Sequence, residues 1–532
     1  MNNLGKWYSL IVWVLAGSLS VDFCQSQVLY PSSYLEDYNT VLELQNEDFR
    51  KRIFINPSII SLNEYDSLPE WNIWGDKYDI SISSDQHFEV LPIVPSVSFN
   101  SNYPRSYNDG PVWRGKGLNA EVNFGVRGHF GILHYTVAPV LFSAQNKNYA
   151  RLDGGVNPYN YPFGNKIDWV QQYGDGNYNK ASWGQSDIRL IYKNLTLGLS
   201  TQNVVWGGAR INPILMSNNA PMFPHLDFGT NTPIETKIGK IEFRSYWGLM
   251  QESPYFDDIE SNDKRYFQGG GLHYSPSFFK GLSVGVSRVH YRNLDIQGFT
   301  FNDAFLSFAD FSSNQDSIFN GQVVNDVYDQ MISFNFRWLF PEIGFETYLE
   351  LAKNDFSNIK TLATEPEHSR AYTIGFIKLF EFAKGRVIKM HYEHTTLGQS
   401  RLIVIRYSPS YYSHYLAPQG YTHQGQVIGA GIGTGSNSDI GMIDYYTEKG
   451  MVGICAQRIR FNDDYVFTSL VPGGPRTFDV EYTATLKAVR FIQKFALTGE
   501  ASLSTRFNWQ FIENNRVNNL FLRIGFGYNL SN

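Results

Sequence analysis

The sequence holds only two cysteines, Cys24 and Cys455, among 532 residues. Once an N-terminal segment is removed on export, Cys455 stands alone and no intramolecular disulfide can form. The chain beyond its N-terminus also lacks any apolar run of the ~18 or more residues that a membrane-spanning helix needs. Charge is sparse: Asp, Glu, Lys and Arg make up 18% of the chain, and the net charge is -6. Without a basic run there is no footprint for nucleic acid and no polybasic anchor for an anionic membrane surface. An exported chain of this size with no disulfide needs another source of cohesion, and a closed hydrogen-bonded barrel supplies one.

Aromatic and turn-forming residues are abundant, with 34 Tyr, 39 Phe and 46 Gly. Such a composition serves strands and tight turns. At the N-terminus Lys6 precedes an apolar stretch from Leu10 to Leu15 and then small residues, the pattern of an export signal. Cys24 and Ser26 take the -3 and -1 positions of a cleavage before Gln27. The stretch is shorter than a spanning helix, and Phe23 stands where a small residue should precede an acylated cysteine. Residues 1–26 are therefore read as a cleaved signal, 27–105 as an N-terminal helical or plug segment with the first barrel strand, and 106–532 as a barrel.

Alternation dominates from about residue 115 onwards. Leu118, Ala120, Val122, Phe124 and Val126 alternate with Asn119, Glu121, Asn123, Gly125 and Arg127. Ile332, Phe334, Phe336, Trp338 and Phe340 alternate with Ser333, Asn335 and Arg337, and Phe345, Thr347, Leu349 and Leu351 with Glu346, Tyr348 and Glu350 after a Pro341-Glu342 connection. Each set puts one apolar face against lipid and one polar face towards a lumen. Further hairpins are expected around Lys193-Asn194 and in 388–393, and Leu520, Leu522, Ile524, Phe526 and Tyr528 form a closing amphipathic strand. These patterns predict an all-β fold: a transmembrane antiparallel barrel with a small N-terminal helix. Ser33 and Glu36 at capping-box spacing start that helix, with Leu35, Tyr38, Leu42, Phe49 and Ile53 on one face. Polar stretches at 146–184 and 254–270 are expected as long extracellular loops.

Chemical motifs do not hold up in context. Gly281 to Gly285 spells G-x-S-x-G, but Leu282, Val284 and Val286 continue a strand, so Ser283 lacks the sharp turn a nucleophile needs. His391 and His394 fall on opposite faces of a strand and cannot chelate one metal. The run from Gly429 to Gly435 lacks the Lys of a phosphate loop. Asp257, Asp258, Glu260 and Asp263 offer calcium-type ligands, yet read more simply as a solvated loop. No catalytic, metal or cofactor site is expected. Loop Tyr and Trp beside Asn, Asp and Arg would suit sugar binding, because rings pack on a pyranose while planar polar groups bond its hydroxyls.

The most distinctive wording lies in 203–239: Asn203, Val204, Val205, Trp206, Gly207, Gly208, then Met216, Ser217, Asn218, Asn219, Ala220, Pro221, Met222, Phe223, Pro224, His225, and Thr232, Pro233, Ile234. With Asp109, Trp113 and Gly117, Asp168 and Gln185, and His423, it resembles the Wzi family of outer-membrane capsule-assembly proteins. Gly208-Ala209 departs from the Pro-Gly pair common in such sequences. The resemblance implies an 18-stranded barrel at the surface of a Gram-negative cell, with an N-terminal helical element, outer-membrane lipid around it and capsular or other extracellular polysaccharide as ligand. The signature residues are expected to have either a structural or a ligand role. Ser217 to Pro224, too rich in Asn and Pro for a central strand, are expected to fold into the lumen or across a barrel mouth. Two alternatives remain: a porin with Glu121, Arg127, Arg337, Glu346 and Glu350 lining a water path, or an adhesion or gliding component that anchors surface-machinery proteins.

Overall fold

The computed structural model describes residues 33–46, 52–57, 72–77, 88–152, 157–162, 167–294, 301–308, 317–319, 322–324, 328–354, 364, 366–382, 385–400, 410–415, 417–468, 477–493 and 495–528. The expected signal and Phe49 lie outside them. The barrel wall is a closed antiparallel sheet of 18 strands, three of which are interrupted. In chain order these are β1 (Phe88–Asn100), β2 (Gly117–Phe130), β3 (Leu133–Val137 and Val140–Ala144), β4 (Tyr178–Ser182 and Asp187–Tyr192), β5 (Leu195–Ser200) and β6 (His225–Thr230 and Ile234–Thr236). Then come β7 (Gly239–Gln251), β8 (Lys264–Pro276), β9 (Leu282–Asn293), β10 (Asp329–Phe340), β11 (Phe345–Asn354) and β12 (Arg370–Phe382). The last six are β13 (Arg386–Thr396), β14 (Asn437–Thr447), β15 (Gly450–Phe461), β16 (Asp479–Ile492), β17 (Phe495–Phe507) and β18 (Arg516–Tyr528). β18 closes on β1, from Ser96 opposite Gly525 to Asn100 opposite Phe521.

The alternation in the sequence is the alternation of the wall. Leu118, Phe334, Leu351, Leu522 and Ile524 are exposed on the outside, whereas Asn119, Ser333, Asn335, Glu346, Glu350 and Phe521 are buried inside. The Pro341 connection forms a single tight turn closed by Gly344 at φ 57, and Lys193 takes φ 54 in the β4–β5 hairpin. His391 faces the lumen, with its Nε2 2.7 Å from the Tyr348 hydroxyl, while His394 lies on the outer side, 2.7 Å from Asp439. Ser283 sits within β9, not at a turn.

Two expectations need correction. The supposed loops 146–184 and 254–270 each end inside the wall, in the first part of β4 and in β8 from Lys264. Polar and glycine-rich strand ends hide their strand character, and in β8 the stretch from Arg265 to Gly271 is buried on both faces. The N-terminal helix, α1 (Tyr34–Gln45), starts as expected, with Ser33 Oγ accepting from the Glu36 amide at 3.3 Å. Ile53, however, is not on it; it is buried in the segment leading to a short strand, Ile55–Pro57.

Candidate functional site: the filled lumen and the outer mouth

Tight turns mark one end of the barrel and long connections the other. One connection, 201–224, leaves β5 and re-enters β6 after passing through the lumen, where Trp206, Ile214, Leu215, Met216 and Phe223 are almost fully buried. Val204–Trp206 pairs antiparallel with Ile55–Pro57, Ile55 opposite Trp206. Gly207 then turns at φ +103, and an added Cβ would stand 2.6 Å from Asn335 Oδ1. Only glycine fits such a position.

Glutamates of the wall hold this plug by its backbone. Glu242 accepts from the amides of Ile53, Phe54 and Ile55 at 3.3, 2.8 and 3.1 Å. Glu393 accepts from Arg210, Ile211 and Asn212 at 2.9, 3.0 and 2.8 Å. Glu350 accepts from Ile214 at 3.1 Å and from the Ser333 hydroxyl at 3.0 Å. Arg210 and Arg337 share Glu346, at 2.9 and 2.6 Å. Charge-assisted bonds of this kind are short and strong in a water-poor interior. The lumen groups read as porin lining do face inwards, but Glu346 and Glu350 grip the plug, Arg337 pairs with Glu346, Glu121 pairs with Arg114 at 2.9 Å, and Arg127 pairs with Glu89. The alternating pattern placed Glu393 on the polar face without giving it a role, and Glu242 was missed. An isolated inward glutamate beside the plug's contiguous amides carries no local sequence signal.

Most signature residues join the plug to other connections. The Ser217 amide donates to Ile428 O at 3.1 Å and its hydroxyl to Gly429 O at 2.6 Å, so the Gly429–Gly435 run is a buried lumen loop. Asn219 Nδ2 donates to Val427 O at 2.9 Å, and Asn218 Nδ2 to Asn108 O at 2.7 Å. Gln185 Oε1 accepts from the Asn203 amide at 2.8 Å, and Asn203 Nδ2 donates to Ala220 O at 2.8 Å. Phe223 packs on Phe267 and edge-on to His423, with centroids 4.8 and 5.9 Å away. His423 Nδ1 accepts from the Gln251 amide at 2.9 Å, which needs the neutral ring, and burial pushes its pKa down to about 3. Trp206 meets Tyr246 at 5.1 Å. Asp168 accepts from the Ser253 amide at 2.7 Å, and its carboxyl is raised by burial despite that bond. Trp113 donates to Asn146 at 3.1 Å, Asp109 pairs with Arg114 at 3.0 Å, and Gly117 opens β2 at φ +97. Pro221 is buried; Pro224 is exposed where β6 begins.

At the short-turn end α1 lies across the opening. Tyr38 stacks on Trp74 at 3.9 Å, and Trp74 meets Phe491 of β16 edge-on at 4.9 Å. Asp37 bonds Lys389 and Lys487 at 3.2 and 2.9 Å, and the same lysines approach Asp444 at 3.3 and 3.2 Å. Burial alone would raise the Asp37 carboxyl, but the two ammonium groups outweigh it and hold it well below its usual range. Between α1 and the plug remains a cavity of about 460 Å³, touched by Tyr34, Asp37, Asn108, Asn218, Cys455 and Glu500.

The long-connection end is rich in rings. Tyr161 lies 5.1 Å from Trp169 and 5.9 Å from Tyr465, which in turn lies 4.9 Å from Phe511. Beside them Tyr159 meets Tyr255 at 5.4 Å and carries the Arg151 guanidinium 4.7 Å above its face. A half-buried and a buried acid flank these rings: desolvation pushes Glu252 up to about 8 despite a bond from Gln419, and Asp464 up to about 6 despite one from Thr434. The acidic loop behaves as an ordinary turn, Asp257 accepting from the Ile259 amide at 2.8 Å and from Asn262 at 3.2 Å. Among the described residues no acidic, His or Cys group is arranged to hold a metal ion.

Residues 96–460 match the family described as capsule assembly protein Wzi. The chain belongs to that family. Its barrel also resembles a solved Wzi structure, that of an outer membrane protein of Escherichia coli involved in group 1 capsule assembly and described as a carbohydrate-binding β-barrel. The TM-score is 0.59 at 11% identity, covering 95% of this chain and all (100%) of that one. Weaker likenesses, with TM-scores of 0.39, link it to OccAB3 of Acinetobacter baumannii (9% identity, 82% of this chain and 98% of that one) and a BenF-like porin of Pseudomonas fluorescens (11%, 84% and 99%). No curated protein sequence matches the chain. Within the Wzi family, then, this chain keeps the barrel while its sequence has diverged far from the solved member.

Proposed function

We propose that this Wzi-family barrel sits in the outer membrane, binds extracellular or capsular polysaccharide at its long-connection end and keeps that polymer at the cell surface. The observation that carries the reading is the combination of a lumen filled from both ends with an aromatic outer mouth. The short turns face the periplasm and the long connections the outside, as in outer-membrane barrels generally. Half-exposed Tyr161, Trp169 and Tyr465 offer ring faces to sugars, with Arg151 and Tyr159 beside them. The signature residues then act as scaffold: they fix the plug that supports the mouth. Export with removal of residues 1–26 is part of the proposal. A porin reading has less support, because the inward charges are engaged by the plug or paired with neighbouring charges.

The test is a binding assay with the purified barrel and the polymer shed by its own strain, beside a deletion strain. Polymer should bind, and Trp169→Ala with Tyr465→Ala should weaken binding without unfolding the wall. The deletion strain should make polymer but release it to the medium. Unchanged polymer retention in that strain, with no binding in vitro, would overturn the reading.

A further inference from the structure

The apolar belt of the wall is incomplete on one side. Along β9 the outward apolar positions are Leu282, Val284 and Val286, and the outward positions that follow are Arg288, His290 and Arg292. A crossing strand needs ~9–11 residues with an apolar outer face, and this one supplies about half. On β8 Leu272 is 52% exposed, but Gln268, nearer the outer end, is buried. Bare arginine and histidine at this level would carry a depth-dependent cost against lipid.

A short 3-10 helix, Phe301–Phe308, covers the gap from outside. Trp247 Nε1 donates to Ala304 O at 2.8 Å, Tyr266 to Asp303 O at 3.0 Å, and Arg292 pairs with Asp303 at 2.9 Å. The Ser307 amide donates to Gln268 at 2.8 Å and its hydroxyl to Arg288 O at 3.0 Å. Ile332, outward by register opposite Arg288, is 1% exposed. The polar side of the helix is thus spent on the wall. Its phenylalanines keep much of their surface open: Phe301, Phe305 and Phe308 are 77%, 49% and 59% exposed. A Cβ on Gly270 would meet the Phe308 ring at 3.2 Å, so that ring lies against the outside of β8, two residues from Leu272. The apolar surface of the helix is continuous with the apolar wall.

We infer that Phe301–Phe308 is a lipid-docking strap: it seals a polar stretch of the outer wall and seats its three phenylalanines in the acyl chains of the outer leaflet. The inference rests on the membrane reading above but adds a lipid-binding element outside the barrel. Exposed phenylalanines in water would form an aggregation-prone patch, whereas at a membrane boundary an amphipathic segment lies with its apolar face buried in lipid.

The experiment is site-directed spin labelling of the whole barrel in phosphatidylcholine vesicles. Nitroxides are placed at Phe305→Cys and Phe308→Cys in a Cys455→Ser background, with Leu272→Cys as the wall control and Asp258→Cys as the loop control. Both strap labels should be relaxed by oxygen and shielded from a water-soluble nickel chelate, matching Leu272 and opposite to Asp258. Strap labels open to nickel while Leu272 stays shielded would overturn the strap and point to an aqueous partner; nickel access at Leu272 as well would instead break the membrane reading and the strap with it. Single cysteines at exposed sites leave the wall intact, and a second measurement stands apart from them: Phe301→Asp with Phe305→Asp and Phe308→Asp should fold in detergent yet insert into vesicles roughly ten-fold less, as several lost apolar contacts dictate. Undiminished insertion would count against the strap.

Discussion

The lumen is closed twice, and the two closures are built differently. The outer plug is held by carboxylates that each take a row of backbone amides: Glu242 takes Ile53 to Ile55 and Glu393 takes Arg210 to Asn212. The inner closure is one helix, seated by the Tyr38–Trp74 stack, by an ionic knot at Asp37 and by buried Glu43, which reaches Arg210 and Arg337 at 3.4 and 3.5 Å. The first cannot shift without orphaning several buried donors at once. The second is held by side-chain pairs and not by rows of backbone amides. The outer mouth thus rests on anchoring through backbone amides, and the inner cover on side-chain pairs.

The largest effects should come from the plug and the wall. Glu393→Ala leaves three amides without their acceptor, that of Asn212 buried and those of Arg210 and Ile211 part-buried, and with about 1–3 kcal/mol for each buried unsatisfied group it should cost roughly 2–3 kcal/mol. The thermal midpoint in detergent reports it, and Glu393→Gln, which keeps one acceptor oxygen, should lose less. An equal loss for both would mean that the charge, not the amide row, does the holding. The wall responds on the same scale: Phe334→Arg should cost about 2–4 kcal/mol in a vesicle refolding assay if it lies near mid-bilayer. Better tolerance of Phe334→Arg than of Asn335→Leu would show the faces to be reversed.

The inner cover should respond differently. The Asp37 side chain is 36% exposed, so Asp37→Lys should change stability by less than about 1 kcal/mol, yet it sets three cations side by side. Cys455 lines the cavity behind α1 and serves as a native reporter. A small charged thiol reagent should modify it up to about five-fold faster in Asp37→Lys than in the unaltered barrel, as a change of up to about 1 kcal/mol in opening dictates. Because the Asp37 carboxyl is held below its usual range, its contribution is present above the ordinary carboxylate pKa and lost only as pH falls well below it. Mild acid should therefore leave labelling slow.

The smallest effect belongs to the mouth, where the sign is opposite. Burial raises Asp464 to about 6 and Glu252 to about 8, so the stability linked to each is full below its unfolded pKa and is lost as pH rises through the folded value. Trp169 fluorescence should shift modestly near those two values, and Asp464→Asn should remove the lower step.

Much of the wall was legible because strand alternation is local: Phe334 out and Asn335 in follow from period two alone. The capping Ser33 was equally legible. What escaped were features that depend on distant partners. The polar outward residues Arg288 and Arg292 carry no mark in sequence of the segment that meets them, which lies further along the chain. The Asn- and Pro-rich plug advertised that it was not a strand, but not that Glu242 and Glu393 would receive its amides. Likewise Asp37 carries no mark in sequence of the lysines it meets on β13 and β16.

The account rests on a barrel that is filled, not open, and planar-bilayer recording tests that most directly. The intact protein should show no steady open level, Asp37→Lys should flicker, and only loss of the plug contacts, as in Glu242→Ala with Glu393→Ala, should give sustained current. A large, steady conductance from the intact protein would contradict the account.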